Sequence, residues 1–356
     1  MKKLDLAIIG QGRSGRGIHG NYYLSEANKH FNVKYVIDRD EHRRARAKAA
    51  FPDAVILSDY RELYDLPKVD LVVNASYSEM HYDITLDLLE HKYNVLTEKP
   101  FARNRYECDK LIKAATDAGV VLAVFHNTQL APFYLDAKRI IDEGTLGDIK
   151  QISIYYNGFA RRWDWQTLQK KLAGSVYNTG PHPIAMALGF LDFDKDARVA
   201  FSKLDLALTS GDAEDYAKII LTAPGKPVID LEINSTDAYS DFNLKIQGSK
   251  GTFKCTTQKY MMKYIIDGEN PERPVCEDFI HDDEWAPIYC KETLVTHEES
   301  GEYEKNPFNA GTHGIYESVY YAITEGKPLE MDCEMAAQVV SVIETVHAEN
   351  PLPLKY

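Results

Sequence analysis

Short apolar runs alternate with amphipathic segments through the first part of the chain. The apolar runs lie at residues 4–9, 33–37, 69–74, 94–97 and 120–125. Helical periodicity is present between them at residues 82–90 and 105–118. Apolar strands joined by helices are typical of a doubly wound parallel sheet. The pattern therefore predicts an α/β fold with an N-terminal domain over residues 1–126.

The pattern changes after residue 126. A helix is predicted at 132–143, and strand-like runs follow at 149–156, 199–206, 216–222, 228–234 and 242–247. Few helices separate the last four runs, which favours an open, mostly antiparallel sheet in an α+β domain over residues 127–356. Residues 269–309 predict surface loops with room for one hairpin, and helices are predicted at 314–325 and 333–348. A length of 356 residues also favours two domains.

A glycine-rich turn, G-Q-G-R-S-G, follows the first predicted strand. Its first glycine permits a tight turn, its second lets the backbone approach a pyrophosphate, and its third lets the next helix pack closely. The N-terminus of that helix offers free N–H groups to phosphates. The turn therefore predicts a dinucleotide site. Its predicted contacts are Gly10, Gly12, Arg13, Ser14 and Gly15.

Asp38 ends the second predicted strand, about 20 residues after the last glycine, where an acid reaches the ribose hydroxyls of a bound dinucleotide. Its charge would repel a 2′-phosphate, so NAD is the predicted cofactor. Arg39 follows directly, with Arg43 and Arg44 nearby. These arginines either form a solvated helix face or bind the 2′-phosphate of NADP, and NADP therefore stays open.

The composition excludes several classes of partner. The net charge of −13 argues against nucleic acid and anionic membranes. No apolar run approaches the ~20 residues that span a bilayer. The first strand begins too early to leave room for a signal peptide, and the five cysteines form no C-x-x-C pair, so a cytoplasmic protein with reduced thiols is expected. No tight Cys/His cluster suggests a metal site.

Glu98, Lys99 and Pro100 end the strand predicted at 94–97, where the strand should open onto the cofactor crevice. Burial and neighbouring charge lower the pKa of a lysine, which would make Lys99 a usable acid or base. The ordinary alternative is a Lys-Pro turn. Glu98 and Lys99 are also predicted to contact the cofactor. Ser76 and His81 follow the preceding strand and are predicted cofactor contacts too, although His81 could equally cap a helix.

A second cluster spans residues 178–183, N-T-G-P-H-P. His182 lies near the start of a predicted helix, where a histidine stays neutral and can exchange a proton. The ordinary alternative is a capping loop. The nearby residues 159–165 are rich in aromatic and basic side chains, which bind hydroxyl-rich ligands or pack in a core or an oligomer contact. The predicted substrate contacts are Arg161, Trp163, Tyr177 and Asn178.

These motifs resemble the family of glucose–fructose oxidoreductase, inositol dehydrogenase and rhizopine-catabolism proteins (Gfo/Idh/MocA). The family carries E-K-P where this chain has Glu98-Lys99-Pro100. Its D-x-G-x-H-x-x-D segment matches residues 178–185, with Asn178 and Ala185 in place of the two acids. The resemblance implies a Rossmann domain, a C-terminal α/β domain, catalytic roles for Lys99 and His182, and a cis bond before Pro100.

The resemblance implies an NAD(P)-dependent oxidoreductase acting on a sugar, polyol or sugar derivative, with Lys99 and His182 in proton transfer. Neutral Asn178 would then only orient the substrate. One alternative is a glycoside-cleaving or epimerising enzyme that oxidises its substrate transiently; another is a non-catalytic NAD-binding sensor. A homodimer or homotetramer is expected, because one face of the second sheet would otherwise expose an apolar patch.

Overall fold

The computed structural model describes residues 3–303 and 306–356. Met1 and Lys2 of the predicted N-terminal domain lie outside the described residues, as do Glu304 and Lys305 of the predicted loop segment. No helix in the described ranges is both long enough and apolar enough to cross a bilayer.

The first sheet has six parallel strands in the order β3-β2-β1-β4-β5-β6. This is the strand order of a Rossmann sheet, so the predicted doubly wound sheet is confirmed. The strands are β1 (Leu4–Ile9), β2 (Phe31–Ile37), β3 (Val55–Leu57), β4 (Leu71–Asn74), β5 (Val95–Thr97) and β6 (Leu122–Val124).

Helices cover both faces of this sheet. The glycine turn leads into a π-helical segment, Gly15–Gly20, which continues into α1. Asp40 and Asn104 cap α2 and α4, each accepting a backbone hydrogen bond in the first turn. The helices are α1 (Asn21–Leu24), α2 (Glu41–Ala50), α3 (His81–Glu90) and α4 (Arg105–Ala118).

The second sheet has eight strands in the order β16-β13-β12-β11-β7-β10-β9-β8, and only β7 and β10 run parallel. The predicted mostly antiparallel sheet is therefore confirmed. The strands β14 and β15 form a separate hairpin. The strands are β7 (Ile149–Asn157), β8 (Arg198–Asp205), β9 (Tyr216–Thr222), β10 (Val228–Asn234), β11 (Leu244–Gly248), β12 (Gly251–Cys255), β13 (Lys259–Tyr264), β14 (Ile280–His281), β15 (Pro287–Ile288) and β16 (His297–Glu302).

Within the described residues, five α-helices follow β6. Of these, α8 packs on a face of the first sheet and α9 contacts its edge strand β6. Helix α7 is buried against β7 and β10, whereas α8 places Tyr316 in the core beneath β1 and β2. The division into domains at residue 126 stays a prediction, and α8 lies spatially with the first sheet. The helices are α5 (Pro132–Asp142), α6 (Ser175–Asn178), α7 (Pro181–Phe190), α8 (Pro307–Glu325) and α9 (Cys333–Glu349).

The outer face of the second sheet is polar at its centre. The prediction of an apolar patch is therefore wrong for that part of the face. Lys218 on β9 forms ion pairs with Asp230 and Glu232 on β10. The hydroxyl of Tyr155 on β7 donates to Asp230 over 2.9 Å. Alternation along β10 sends Ile229, Leu231 and Ile233 to the inner, helix-covered face. A homo-oligomer therefore stays a prediction without that argument.

Candidate active site

A cavity of about 990 Å³ lies at the carboxyl ends of the first sheet's strands, between that sheet and the second half of the chain. The glycine turn and the loops after β2 and β4 line one end. The other end, called here the substrate end, is lined by Lys99 and by residues of the second half, including Tyr156, Arg162, Trp165, Asn178 and His182. This is where ligands bind in an open α/β sheet.

The glycine turn has the geometry of a phosphate cradle. Gly10 has a φ of +89°, and a Cβ there would collide with the carbonyl oxygen of Ala75. A Cβ on Gly15 would collide with the carbonyl oxygen of Gly10. A Cβ on Gly12 would meet nothing closer than the Arg43 guanidinium at 3.9 Å, so its backbone is open to the cavity. The residues present therefore fit a dinucleotide pyrophosphate.

Asp38 is buried at the end of β2 and is fixed by backbone donors. Its Oδ2 accepts from the backbone N–H of Gln11 over 2.6 Å, and its Oδ1 accepts from that of Asp40 over 2.8 Å. The carboxylate thus joins the glycine turn to the end of β2, where ribose hydroxyls would reach it. Arg43 lies 3.7 Å from Asp38 Oδ2. Arg13, Ser14 and Arg39 also line this end of the cavity.

Glu98 lies at the end of a buried series of hydrogen bonds that runs from Tyr316 through His19. Its Oε1 lies 3.1 Å from Nε2 of His19, and Nδ1 of His19 lies 2.7 Å from the hydroxyl of Tyr316. Burial raises the pKa of Glu98, but the hydrogen bond and charge of His19 outweigh it and lower that pKa to about 2. Glu98 is therefore a fixed carboxylate beside Lys99. Sequence reasoning missed His19 and Tyr316, which lie 297 residues apart.

Lys99 points across the cavity toward the second half of the chain. Its Nζ donates to the backbone carbonyl oxygen of Asn178 over 2.6 Å. Burial lowers the pKa of Lys99, the nearby charges of Arg13 and Arg162 lower it further, and Glu98 opposes them. The bond between Lys99 and Pro100 is cis, as the resemblance implied.

His182 lies in the first turn of α7, with its Nδ1 3.3 Å from the hydroxyl of Thr128. Burial lowers its pKa well below the usual value, and the charge of Lys99 lowers it further. A neutral His182 therefore faces the same cavity as Lys99. Thr128 lies after β6 and carries no motif that would reveal it in the sequence.

Ser76 and His81 both line the cavity, and both are also tied to the protein. The hydroxyl of Ser76 donates to Oδ1 of Asn74 over 2.8 Å. Nδ1 of His81 lies 2.8 Å from the Pro100 carbonyl oxygen, and its Nε2 lies 3.3 Å from that of Ser76. Burial lowers the pKa of His81, so the ring stays neutral. His81 thus connects the loops after β4 and β5.

Three predicted substrate contacts lie outside the cavity. The side chain of Trp163 is 76% exposed, and Arg161 is exposed beside it. Tyr177 donates its hydroxyl to the carbonyl oxygen of Arg103 and stacks on His347. Of the four, only Asn178 lines the cavity. The neighbouring residues Arg162, Asp164, Trp165 and Gln166 line it instead.

The chain matches two models of one family. Residues 4–126 match an oxidoreductase family with an NAD-binding Rossmann fold, and residues 134–254 match the GFO/IDH/MocA C-terminal domain. The chain therefore belongs to the Gfo/Idh/MocA family of NAD(P)-binding oxidoreductases. Its cavity has the glycine turn and the strand-end lysine expected from the sequence. Within the described ranges, no cluster of three or more His, Cys, Asp or Glu residues could hold a metal ion.

Individual relatives are distant. The scyllo-inositol 2-dehydrogenase (NADP(+)) IolW of Bacillus subtilis is 25% identical over 353 residues, which cover 96% of this chain and 92% of the relative. A 2,7-anhydro-N-acetylneuraminate hydratase of Mediterraneibacter gnavus is 23% identical over 295 residues, which cover 81% of this chain and 77% of the relative. The crystal structure of GenD2 from gentamicin A biosynthesis, in complex with NAD, matches with a TM-score of 0.74 at 20% identity, over 98% of this chain and 94% of its own.

Proposed function

We propose that this chain is an NAD(P)-dependent dehydrogenase of a sugar, polyol or sugar derivative, with Lys99 and His182 in proton transfer. The observation that carries the proposal is their convergence on one cavity. The Lys99 ammonium is oriented by the Asn178 carbonyl, and His182 is held by Thr128 at the same end. A similar relative is named as a scyllo-inositol 2-dehydrogenase, which supports a polyol or sugar substrate.

The glycine turn would hold the pyrophosphate, and Asp38 would accept hydrogen bonds from the ribose hydroxyls. Ser76 and Glu98 line the path from there to Lys99. A nicotinamide dinucleotide supplies a hydride donor or acceptor when it is bound. Asp38 favours NAD, because its charge would repel a 2′-phosphate. Arg39 and Arg43 line the same end and supply the charge that NADP would need.

Lys99 and His182 differ in what they can do with a proton. A lysine whose pKa is lowered by burial can take the proton of a substrate hydroxyl, or return it to a carbonyl oxygen. A neutral His182 can accept or donate at the ring nitrogen that does not face Thr128. Asn178 cannot titrate, so its side chain can only orient the substrate. The two titratable groups therefore share the acid and base roles.

A second candidate is an enzyme that oxidises its substrate transiently in order to cleave or epimerise it. One relative is named as a hydratase rather than a dehydrogenase. The neutral Asn178, where the family motif has an acid, also favours a departure from the usual reaction. Such an enzyme would retain its cofactor through purification and release no net reduced nicotinamide.

A panel of sugars and polyols with NAD and with NADP tests the proposal, read by the absorbance of reduced nicotinamide. Net reduction that depends on Lys99 supports a dehydrogenase. Substrate conversion without net reduction supports the second candidate. Cofactor binding without any conversion would indicate a sensor and contradict both. The proposed homodimer or homotetramer is tested by the mass in solution, and a strict monomer would contradict it.

A further inference from the structure

The substrate end of the cavity contains an arginine whose guanidinium has no partner among the residues that the structure describes. Arg162 lines the cavity together with Lys99 and Asn178. Within residues 3–303 and 306–356, its guanidinium forms no ion pair and no hydrogen bond. Its backbone is fixed, because its carbonyl oxygen accepts from the N–H of Ser210 over 3.2 Å. A guanidinium held beside a cavity with five free donors suits a planar anion.

The side chain of Asn178 adds a donor at the same place. Nε2 of Gln166 donates to Oδ1 of Asn178 over 2.8 Å, which orients the amide. The Nδ2 of Asn178 then has no protein acceptor among the described residues and remains available to a ligand. An acid at this position, as in the family motif, would repel an anion. The neutral amide removes that repulsion and offers an N–H.

The carboxylates at this end are already engaged with protein donors. Asp164 accepts the backbone N–H of Gln166 through Oδ1 over 3.2 Å. Glu98 faces His19 through Oε1, and its Oε2 accepts the backbone N–H of Lys99 over 3.1 Å. Among the described residues, neither of these carboxylates forms an ion pair with Arg162. Arg162 is only partly buried, and a ligand carboxylate at the cavity would give its guanidinium an ion pair.

We infer that the substrate is a sugar or polyol that carries a carboxylate, held by the Arg162 guanidinium and the Asn178 amide N–H. The inference rests on the proposed function, since it names the substrate class of the same cavity. Paired N–H donors match the two oxygens of a carboxylate. A phosphate dianion would need a second fixed cation. The cations nearest to Arg162 are Lys99, which is assigned to proton transfer, and Arg13, which is assigned to the dinucleotide.

Matched pairs of sugars test the inference. D-glucose is compared with D-glucuronate, D-galactose with D-galacturonate and D-glucitol with D-gluconate. For each compound, kcat/KM is measured with NAD and with NADP, and Kd is measured by calorimetry on the cofactor-loaded protein. D-glucose 6-phosphate is the phosphate probe. The variants are Arg162→Met, Arg162→Lys and, as the control, Arg198→Met, which removes an exposed arginine from the start of β8.

The acid should bind more tightly than its neutral partner. Arg162→Met should weaken acid binding about 10- to 100-fold, as expected for a lost hydrogen bond to a charged group. In Arg162→Met, the Kd of the neutral sugars should change less than about 2-fold. Arg162→Lys should weaken acid binding to an intermediate extent, and Arg198→Met should leave it unchanged. Preference for the neutral partner or the phosphate, or an equal loss for acid and neutral sugars, would overturn the inference. Arg162-dependent acid binding without nicotinamide reduction would instead overturn only the proposed dehydrogenase.

Discussion

Nζ of Lys99 donates to the backbone carbonyl oxygen of Asn178 over 2.6 Å. This bond joins the loop after β5 to the last residue of α6, so a group that can carry a proton links the two halves of the chain. Because the acceptor is a backbone carbonyl, the contact does not depend on the side chain at position 178. Asn178 can therefore replace the acid of the family motif without losing the orientation of Lys99.

Asn178→Asp tests how strongly the side chain at this position affects Lys99. An added carboxylate would favour the charged form of Lys99 and raise its pKa. The pH at which turnover changes should therefore move upward, as measured by a profile of kcat against pH. Asn178→Ala is the neutral control and should act mainly on KM. An equal shift with the alanine variant would show that charge is not the cause.

His182→Ala should lower kcat by about 100-fold, the usual size of lost general acid–base catalysis. The Kd of the cofactor should not change, because the ring lies at the substrate end of the cavity. Thr128→Val removes the hydroxyl that lies 3.3 Å from Nδ1 of His182 and should produce a smaller loss of kcat. Turnover within a few-fold of wild type for His182→Ala would rule out its proposed role.

Asp38→Ala should change which cofactor is preferred. The carboxylate would bind ribose hydroxyls and repel a 2′-phosphate, so its removal should weaken NAD and improve NADP relative to it. The readout is the ratio of the two Kd values, because Asp38 also holds the N–H of Gln11 and its loss can weaken both cofactors. Arg39→Met is the matched variant, because it removes a positive charge that NADP would need at the same end of the cavity. Wild-type protein that bound NADP far more tightly than NAD would show that Asp38 has been misassigned.

Two neighbouring tryptophans should differ in their effect on the substrate. Trp165 lines the cavity and packs edge-on against Tyr77 with ring centroids 5.0 Å apart. Trp163 is exposed and does not line the cavity. Trp165→Ala should raise KM, whereas Trp163→Ala should leave KM and kcat near wild type. The opposite result would contradict the assignment of Trp165, rather than Trp163, to the substrate end.

The ion pair of half-buried His347 with buried Glu214 should make stability depend on pH. Burial lowers the pKa of His347, but its hydrogen bond and charge interaction with Glu214 outweigh burial and raise it above 6.5. The stability that the raised pKa of His347 contributes is fully present below pH 6.5. It is lost as the pH rises through the pKa of His347 in the folded state. The difference in unfolding free energy between wild type and His347→Gln should follow that course. A difference that grows as the pH rises would contradict the pairing.

Much of the fold could be predicted from periodicity. The strands β9 and β10 match their predicted bounds, because apolar and polar residues alternate along β10 and β9 contains the apolar run at residues 219–221. Helix α8 begins at Pro307 rather than at residue 314, and glycines within its first turns obscure the pattern. A Cβ on Gly311 would collide with the carbonyl oxygen of Asn127, so the close approach of α8 requires a residue that weakens the helical signal.

The site could be predicted only where a motif marks the end of a strand. Lys99 and Asp38 follow strands whose carboxyl ends must meet, so their positions follow from topology. Arg161 and Arg162 lie on a segment without periodicity, and nothing in the sequence decides which of them faces the cavity. His19 and Thr128 reach the site through tertiary packing alone.

The pH dependence of kcat/KM in the oxidation direction tests the role of Lys99 most directly, using the best substrate of the sugar and polyol panel. The wild-type rate should rise with pH to an inflection below 10.5, the ordinary lysine value, because burial lowers the pKa of Lys99. Lys99→Met and Lys99→Arg should lose that inflection and about 100-fold in rate, while cofactor affinity persists. Nearly full activity in Lys99→Met, or an unchanged inflection in either variant, would contradict the mechanism.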